Sequence, residues 1–99
     1  MKRFYQVTPR ARADLLQIGR FTASCWGKRQ RNHYLKGIER RFAWLAENPA
    51  LGKSRPELGE NIRSCPQGAH VIFYIEQQDF IAIIAVLHRQ MDPDNHLAF

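Results

Sequence analysis

His88 and Arg89, two adjacent side chains suited to acid–base and phosphate chemistry, stand where a long apolar run of the chain ends. A histidine titrates near neutral pH, so it can serve as a general base or a general acid. An arginine can neutralise the charge that builds on a phosphate during cleavage. Because neighbouring residues of a strand point to opposite faces, the two side chains are expected on different sides of a sheet. The two side chains could therefore assist proton transfer beside a negatively charged group.

The other histidines and the cysteines are not spaced as a metal site or a nucleophilic active site would require. His33, His70 and His96 are not spaced as metal ligands, and we expect neither a metal nor a cofactor. Cys25 falls near a predicted helix end and Cys65 in a predicted strand, and neither has a histidine at a diagnostic offset. Both cysteines are predicted to be buried small hydrophobes and not nucleophiles.

Residues 70–89 predict the β-hairpin that positions His88 and Arg89, because two β-branched and aromatic runs flank a polar break at 76–79. An antiparallel sheet usually leaves one face polar and solvated. Here both faces are apolar, so each needs a cover. By strict alternation, Val71, Phe73 and Ile75 oppose Ile72 and Tyr74 in the first strand, and Phe80, Ala82, Ile84 and Val86 oppose Ile81, Ile83, Ala85 and Leu87 in the second.

Two amphipathic helices supply one cover. Thr8-Pro9 predicts a helix start, with Thr8 as N-cap and Pro9 in the first helical position, and this helix is expected over 9–24. A second helix is expected over 28–47, after a turn at Gly27. Together they form an αα-hairpin. The predicted apolar stripes are Ala11, Leu15, Ile18 and Thr22, extended by Trp26, and then Leu35, Ile38, Phe42 and Leu45.

The remaining segments complete a single domain, 1–99, of order βααβββ. Residues 2–8 predict a first strand, 50–61 a loop, 62–65 a short strand, and 66–68 a turn. After Arg89 the chain reads as a polar tail. The expected fold class is α+β, with a helical hairpin packed on one face of a small, mainly antiparallel sheet.

The second sheet face has no cover of comparable size, since only Met91, Leu97 and Phe99 of the tail can reach it. An exposed apolar face on a small protein usually marks a partner site, although the tail or a second copy of the chain can also cover it. We predict a protein partner that lays an apolar helix or strand across Ile72, Tyr74 and their neighbours.

The charge balance favours acidic partners. Fifteen Lys and Arg against nine Asp and Glu give a formal net charge of +6, which attracts nucleic acid, acidic proteins and anionic lipid. Direct DNA binding is less favoured, because the rows of Arg lack interleaved aromatic side chains and no helix-turn-helix stretch stands out. The N-terminal residues contain no apolar signal segment, and no apolar run approaches the roughly twenty residues of a membrane span. A cytosolic protein with reduced thiols and no membrane contact is expected.

Several segments, in this order and spacing, resemble the RelE/ParE toxin superfamily. They are Thr8-Pro9 at the first helix, Trp26-Gly27 between the helices, and Leu45-Ala46-Glu47-Asn48-Pro49 followed by Gly52 and Lys53. The segment 59–63, then Pro66-Gln67-Gly68, His70-Val71-Ile72-Phe73-Tyr74 and 86–92, is similar to the ParE branch. The resemblance covers nearly the whole chain.

This resemblance implies the toxin of a bacterial type II toxin–antitoxin pair. ParE-like members inhibit DNA gyrase and block replication, whereas RelE-like members cut messenger RNA on the ribosome. A small antitoxin wraps and neutralises both kinds. We therefore expect a gyrase-inhibiting toxin with a ParD-like antitoxin, with contact to nucleic acid only through the target complex. The antitoxin is expected over the second face, at Ile72, Tyr74, Ile83 and Leu87.

The resemblance also bears on catalysis. Arg63 matches a position where nucleases of the superfamily often carry a catalytic Arg, so a nuclease would use Arg63, His88 and Arg89. Active nucleases usually carry a Tyr beyond the last strand, and this chain has Gln90-Met91-Asp92-Pro93 there instead. We therefore expect a binding protein and not an enzyme. The expected target contacts are Arg63, His88, Arg89, Met91 and Asp92, with an ion pair to a carboxylate such as Glu60 as the alternative role of Arg63.

Overall fold

A computed structural model describes residues 4–97 and confirms the α+β fold, with a helical hairpin on a mixed five-stranded sheet. In chain order the elements are β1 (Phe4–Val7), α1 (Pro9–Trp26), α2 (Lys28–Glu47), a 3-10 turn (Pro49–Leu51), β2 (Lys53–Ser54), β3 (Ile62–Gln67), β4 (His70–Glu76), β5 (Phe80–His88) and α3 (Pro93–His96). The strand β2, the 3-10 turn and α3 were not expected from the sequence. No helix in this part of the chain is long and apolar enough to cross a membrane.

The strands lie in the order β1-β5-β4-β3-β2, with β1 parallel to β5 and every other pair antiparallel. The predicted hairpin is β4–β5, and it contains a β-bulge. Phe73 pairs with Ala85 but Tyr74 pairs with Ile83, so Ile84 is the extra residue on β5. A bulge interrupts the alternation of side chains, and the strict alternation predicted for β5 is therefore wrong beyond Ile84.

The helical hairpin begins and turns as the sequence predicts. The Thr8 hydroxyl accepts a hydrogen bond from the Ala11 amide at 3.3 Å and donates one to the Ile83 carbonyl at 2.8 Å, and Pro9 occupies the first turn. Gly27 alone separates α1 from α2, and its φ of 90° is a conformation that glycine adopts without strain. Thr8 thus caps α1 and also fixes it to β5.

The helices cover the sheet face that carries Ile72, Tyr74, Ile81, Ile83 and Val86. The prediction that Ile72 and Tyr74 lie on the uncovered face is therefore wrong. Both faces are apolar, so the alternation of residues identifies two faces without telling which one the helices occupy. The helical side of this core consists mainly of Ala11, Ile18, Ile38, Phe42, Leu45 and Ala46. Trp26 does not extend the stripe, because it is 73% exposed.

The second face carries Phe73, Ile84, Ala85 and Leu87, and the chain covers much of it by itself. Leu58 from the loop before β3 and Leu97 after α3 pack against this cluster. The prediction that Leu97 can reach the second face is confirmed. Met91 is exposed, and Phe99 lies outside the described residues.

Candidate functional site

Four of the predicted target-contact residues lie together where β5 ends. His88, Arg89, Met91 and Asp92 are all exposed. The Met91 amide donates to the His88 carbonyl at 2.9 Å, which makes a tight turn out of the strand. The Asp92 side chain then accepts from the Asp94 amide at 3.1 Å and caps α3. The turn therefore presents a histidine, an arginine and a methionine side by side.

Arg63 is not part of this group. Its Nε donates to Glu76 Oε1 at 3.1 Å, and its Nη1 donates to the carbonyls of Gly52 at 2.9 Å and Ala50 at 3.3 Å. The alternative prediction, that Arg63 forms an ion pair with a carboxylate, is confirmed, although the carboxylate is that of Glu76 and not that of Glu60. Arg63 therefore ties the 3-10 turn and β2 to the sheet.

The strand register also separates Arg63 from His88. Arg63 pairs with Tyr74 on β4, whereas His88 pairs with His70, four residues away on the same strand. At about 3.3 Å per residue and about 4.8 Å per strand, the two Cα atoms lie on the order of 15 Å apart. The three candidate nuclease residues Arg63, His88 and Arg89 are therefore not assembled around one phosphate.

A cluster that the sequence analysis missed surrounds His88. The rings of His70 and His88, cross-strand partners, lie with their centroids 5.4 Å apart. The Tyr34 hydroxyl of α2 shares a hydrogen bond of 2.5 Å with His70 Nδ1 and accepts one from the Ala69 amide at 3.0 Å. Burial, and secondly the charge of His88, lower the pKa of His70. Regular pairing outward from Glu76 and Ile81 would place His70 opposite Leu87, and it is the bulge at Ile84 that brings His88 opposite His70. No pattern in the sequence therefore indicated this pair.

A groove runs beside this cluster between α1 and the end of β5. It consists of two adjoining open cavities of about 530 and 340 Å³ that share Phe21, His70 and His88. We call it the α1–β5 groove and define it by Phe21, Trp26, Tyr34, His70, His88 and Met91. Phe21 is 66% exposed and Met91 43% exposed, so apolar surface is open to solvent there. Such a groove is suited to bind an apolar segment of a partner.

Asp14 fixes the position of α1 along the groove. Its carboxylate accepts a hydrogen bond from the Val86 amide at 3.0 Å and another from Arg10 Nε at 3.2 Å. A carboxylate that binds a strand amide holds helix and strand in register more strongly than a neutral acceptor does. The sequence offered no signal for this contact, since the partners are 72 residues apart.

The side chains predicted to contact an antitoxin are buried, although Leu87 also lines one cavity of the α1–β5 groove. Ile72, Tyr74 and Ile83 are 0% exposed, beneath the helices, and Leu87 is 3% exposed on the second face. The Tyr74 hydroxyl donates to the Pro49 carbonyl at 2.7 Å and accepts from the Gly52 amide at 3.0 Å. Burial raises the pKa of Tyr74, so this hydroxyl keeps its proton. The prediction that these side chains are exposed and open to an antitoxin is therefore wrong.

The cysteines and metal-ligating residues add no further site. Within residues 4–97, no three side chains of His, Cys, Asp or Glu come together as a metal site would require. Cys25 is exposed, against the prediction of burial, whereas Cys65 is half-buried. Burial raises the pKa of the Cys65 thiol, which makes it a poor nucleophile.

Comparison with known proteins gives concordant matches. The family model described as ParE toxin of type II toxin-antitoxin system, parDE, matches residues 5–93. Toxin ParE1 of Caulobacter vibrioides is 33% identical over 93 residues, which cover 94% of this chain and 96% of that protein. Toxin ParE1 of Mycobacterium tuberculosis is 32% identical over 94 residues, with 94% and 96% covered.

Among solved structures, the chromosomal ParDE toxin–antitoxin system from P. aeruginosa contains a chain of the same fold. It superposes with a TM-score of 0.75 at 17% identity, over 88% of this chain and 96% of that one. At this level of identity the likeness concerns the fold alone.

Proposed function

The chain belongs to the ParE toxin family of type II toxin–antitoxin systems, and from that premise we propose that it inhibits DNA gyrase and is neutralised by a ParD-like antitoxin. The observation that carries the proposal is the family match over residues 5–93. The protein acts by binding its target and not by a catalytic step of its own.

Three features favour a binding toxin over a ribosome-dependent nuclease. Arg63 is engaged by Glu76 and two backbone carbonyls, so its guanidinium is not free to neutralise a phosphate. It is also distant from His88 in the strand register. The turn after β5 contains no tyrosine to complete an acid–base pair.

The turn after β5 is the proposed target-contact surface, formed by His88, Arg89, Met91 and Asp92. An exposed methionine beside an arginine combines apolar area with charge, and residues of both types are enriched at protein interfaces. Arg63 is omitted from this surface because its side chain supports the fold.

The proposed antitoxin site is the α1–β5 groove. Its open apolar side chains, chiefly Phe21, Trp26 and Met91, can be buried by an apolar segment of the antitoxin. The positive charge of the toxin favours an antitoxin with acidic residues beside that segment. An antitoxin seated there covers His88 and Met91, so neutralisation follows from loss of the target-contact surface.

The function is tested by adding one preparation of the toxin to a gyrase supercoiling assay and to translation of a ribosome-bound messenger. We expect blocked supercoiling or accumulated gyrase–DNA cleavage complex, with the messenger intact. Arg89→Ala and Met91→Ala should each weaken inhibition about tenfold, the effect of losing an interface contact worth about 1.4 kcal/mol. Lys53→Ala, an exposed cation on β2, is the control. If the messenger is cut and gyrase is unaffected, the proposal is wrong and the protein is a ribosome-dependent nuclease.

The antitoxin site is tested by Phe21→Asp, which places a charge in the groove without disturbing the core. Affinity for the cognate antitoxin should fall at least about 30-fold, as for an interface hot spot. Leu51→Asp is the matched control, because Leu51 is similarly exposed, at 64%, and lies away from the groove. Equal affinity of the Phe21 variant and the wild type would exclude this site.

A further inference from the structure

The outward surface of α2 carries a row of basic side chains. Arg29, His33, Lys36 and Arg40 follow one another at spacings of four, three and four, which places them on one side of a helix. All four are exposed, and the opposite side of α2 carries the buried Ile38, Phe42 and Leu45. We call this row the cationic stripe. At 1.5 Å per residue it is about 16 Å long.

The charges of the cationic stripe are not compensated by ion pairs in the described part of the chain. The three ion pairs between residues 4 and 97 involve Arg10, Arg55 and Arg63, and none includes a stripe residue. The helix α2 contains six Lys and Arg but only two Glu, so it carries four of the six net positive charges of the chain. The positive potential is therefore concentrated on one element.

The composition of the stripe distinguishes among anionic partners. A specific protein interface has an apolar centre, often aromatic, and the stripe contains no apolar side chain. The neighbouring Trp44 is 40% exposed, and the Arg41 guanidinium lies over its ring at 4.8 Å. Single-stranded nucleic acid needs exposed aromatic platforms, which the stripe lacks as well. A regularly spaced row of cations suits the phosphate backbone of a duplex, where each strand presents a charge about every 3.4 Å.

We propose that the cationic stripe binds the phosphate backbone of double-stranded DNA without reading its sequence. The inference goes beyond gyrase inhibition and differs from the expectation that the chain contacts nucleic acid only through its target complex. It does not depend on gyrase inhibition, because it rests on the charge distribution of α2 alone. None of the four stripe residues lines the α1–β5 groove. The stripe and the groove therefore share no residue.

The proposal is tested by fluorescence anisotropy with the full chain and a labelled 20-base-pair duplex at several salt concentrations. Three phosphate contacts by Arg29, Lys36 and Arg40 predict a slope of about −2.7 in log affinity against log salt. Affinity should then fall roughly 40-fold between 50 and 200 mM salt. A duplex of unrelated sequence should bind equally well.

The matched variants separate a local site from general attraction. The triple variant Arg29→Gln, Lys36→Gln, Arg40→Gln should lose the binding, and Lys36→Gln alone should reduce the slope by about 0.9. The control triple Arg12→Gln, Arg20→Gln, Lys53→Gln removes the same charge from exposed positions outside the stripe and should bind nearly as the wild type does. Circular dichroism melts check that all variants fold.

Four outcomes would overturn the proposal. They are no binding of the duplex by the wild type at 50 mM salt, equal loss of affinity in both triple variants, tighter binding of a single-stranded oligonucleotide, and competition by polyglutamate as effective as that by duplex DNA. The second would assign the attraction to net charge, the third to a single-strand site, and the last to an acidic protein partner. Because gyrase is absent from the assay, each outcome leaves the proposed function to its own test.

Discussion

At the scale of single residues, His70 is a titrating group whose pKa the fold lowers. Its ring is half-buried between Tyr34 and His88, and Arg10, Asp14 and His96 are the other ionisable groups along the adjoining cavity. Removal from water disfavours the imidazolium, and a positive charge on His88 disfavours it further. The pKa of His70 in the folded protein therefore lies below its ordinary value of 6.5.

This shift predicts a pH dependence of stability. The unfolded chain takes up a proton on residue 70 at a higher pH than the folded chain does, so acid favours unfolding. The stability contributed by neutral His70 is complete above pH 6.5 and is lost as the pH falls through 6.5 towards the lower folded-state pKa. Urea unfolding at a series of pH values between 7.5 and 5 measures this loss.

In the variant His70→Gln, the unfolding free energy should fall less as the pH is lowered from 6.5, because the glutamine takes up no proton at this position. His33→Gln, at an exposed position on α2, should keep the wild-type slope and serves as the control. A His70 variant whose unfolding free energy falls with acid as steeply as that of the wild type would disprove the assignment to His70.

At the scale of elements, Arg63 links β3 to the 3-10 turn and β2. We expect Arg63→Ala to lower the free energy of unfolding by about 1–3 kcal/mol, because Glu76 and two carbonyls lose a charged donor. Chemical denaturation measures this effect. Lys53→Ala, which removes an exposed cation from the neighbouring strand, should change stability by less than about 0.5 kcal/mol.

The same substitution also separates support of the fold from target contact. Arg63→Ala should inhibit gyrase as the wild type does at temperatures where it remains folded. If Arg63→Ala failed to inhibit gyrase while its unfolding free energy was unchanged, Arg63 would be a target-contact residue after all.

The helices show how far sequence periodicity determines an element. The bounds of α2, the Thr8 cap of α1 and the buried Ile38, Phe42 and Leu45 all follow from local pattern and were predicted. Periodicity also placed Trp26 in the apolar stripe of α1, yet Trp26 is exposed. Periodicity gives the direction in which a side chain leaves the helix, but it does not tell whether another element packs there.

The strands show what pattern cannot determine. β5 is apolar on both sides, so the bulge at Ile84 leaves no mark in the alternation of residues. For the same reason the choice of face for the helices was not determined, and Ile72 and Tyr74 were assigned to the wrong one. The candidate site depends on contacts of the same long-range kind. The strand register brings His70 beside His88, and the packing of α1 on the sheet brings Asp14 to the Val86 amide.

At the scale of the whole molecule, two of the three surfaces with proposed roles, the α1–β5 groove and the cationic stripe, share no residue. The α1–β5 groove is apolar with two histidines, whereas the cationic stripe is polar and positively charged. An apolar groove contributes affinity through buried area, and a charged face contributes fast, salt-sensitive association. The toxin can therefore meet an antitoxin and a polyanion through independent chemistry.

The second face of the sheet depends on the tail for its cover, and this yields a prediction about the whole fold. Leu97 packs against the cluster of Phe73, Ile84 and Leu87 after α3 returns the chain to the sheet. A fully buried Leu→Ala change costs about 2–5 kcal/mol, so half-buried Leu97→Ala should cost about 1–2 kcal/mol. The variant should also bind more of a dye that reports exposed apolar surface, because the cluster loses its cover.

Gln90→Ala, at an exposed position in the turn before α3, should change neither the unfolding free energy nor the dye signal by a measurable amount, which makes it the control. If Leu97→Ala unfolds at the same denaturant concentration as the wild type and binds no additional dye, the tail does not cover this face. The apolar cluster around Phe73 would then remain open to a partner, as the sequence alone had indicated. A loss of stability with increased dye binding instead makes the tail part of the core, so that a partner must bind elsewhere.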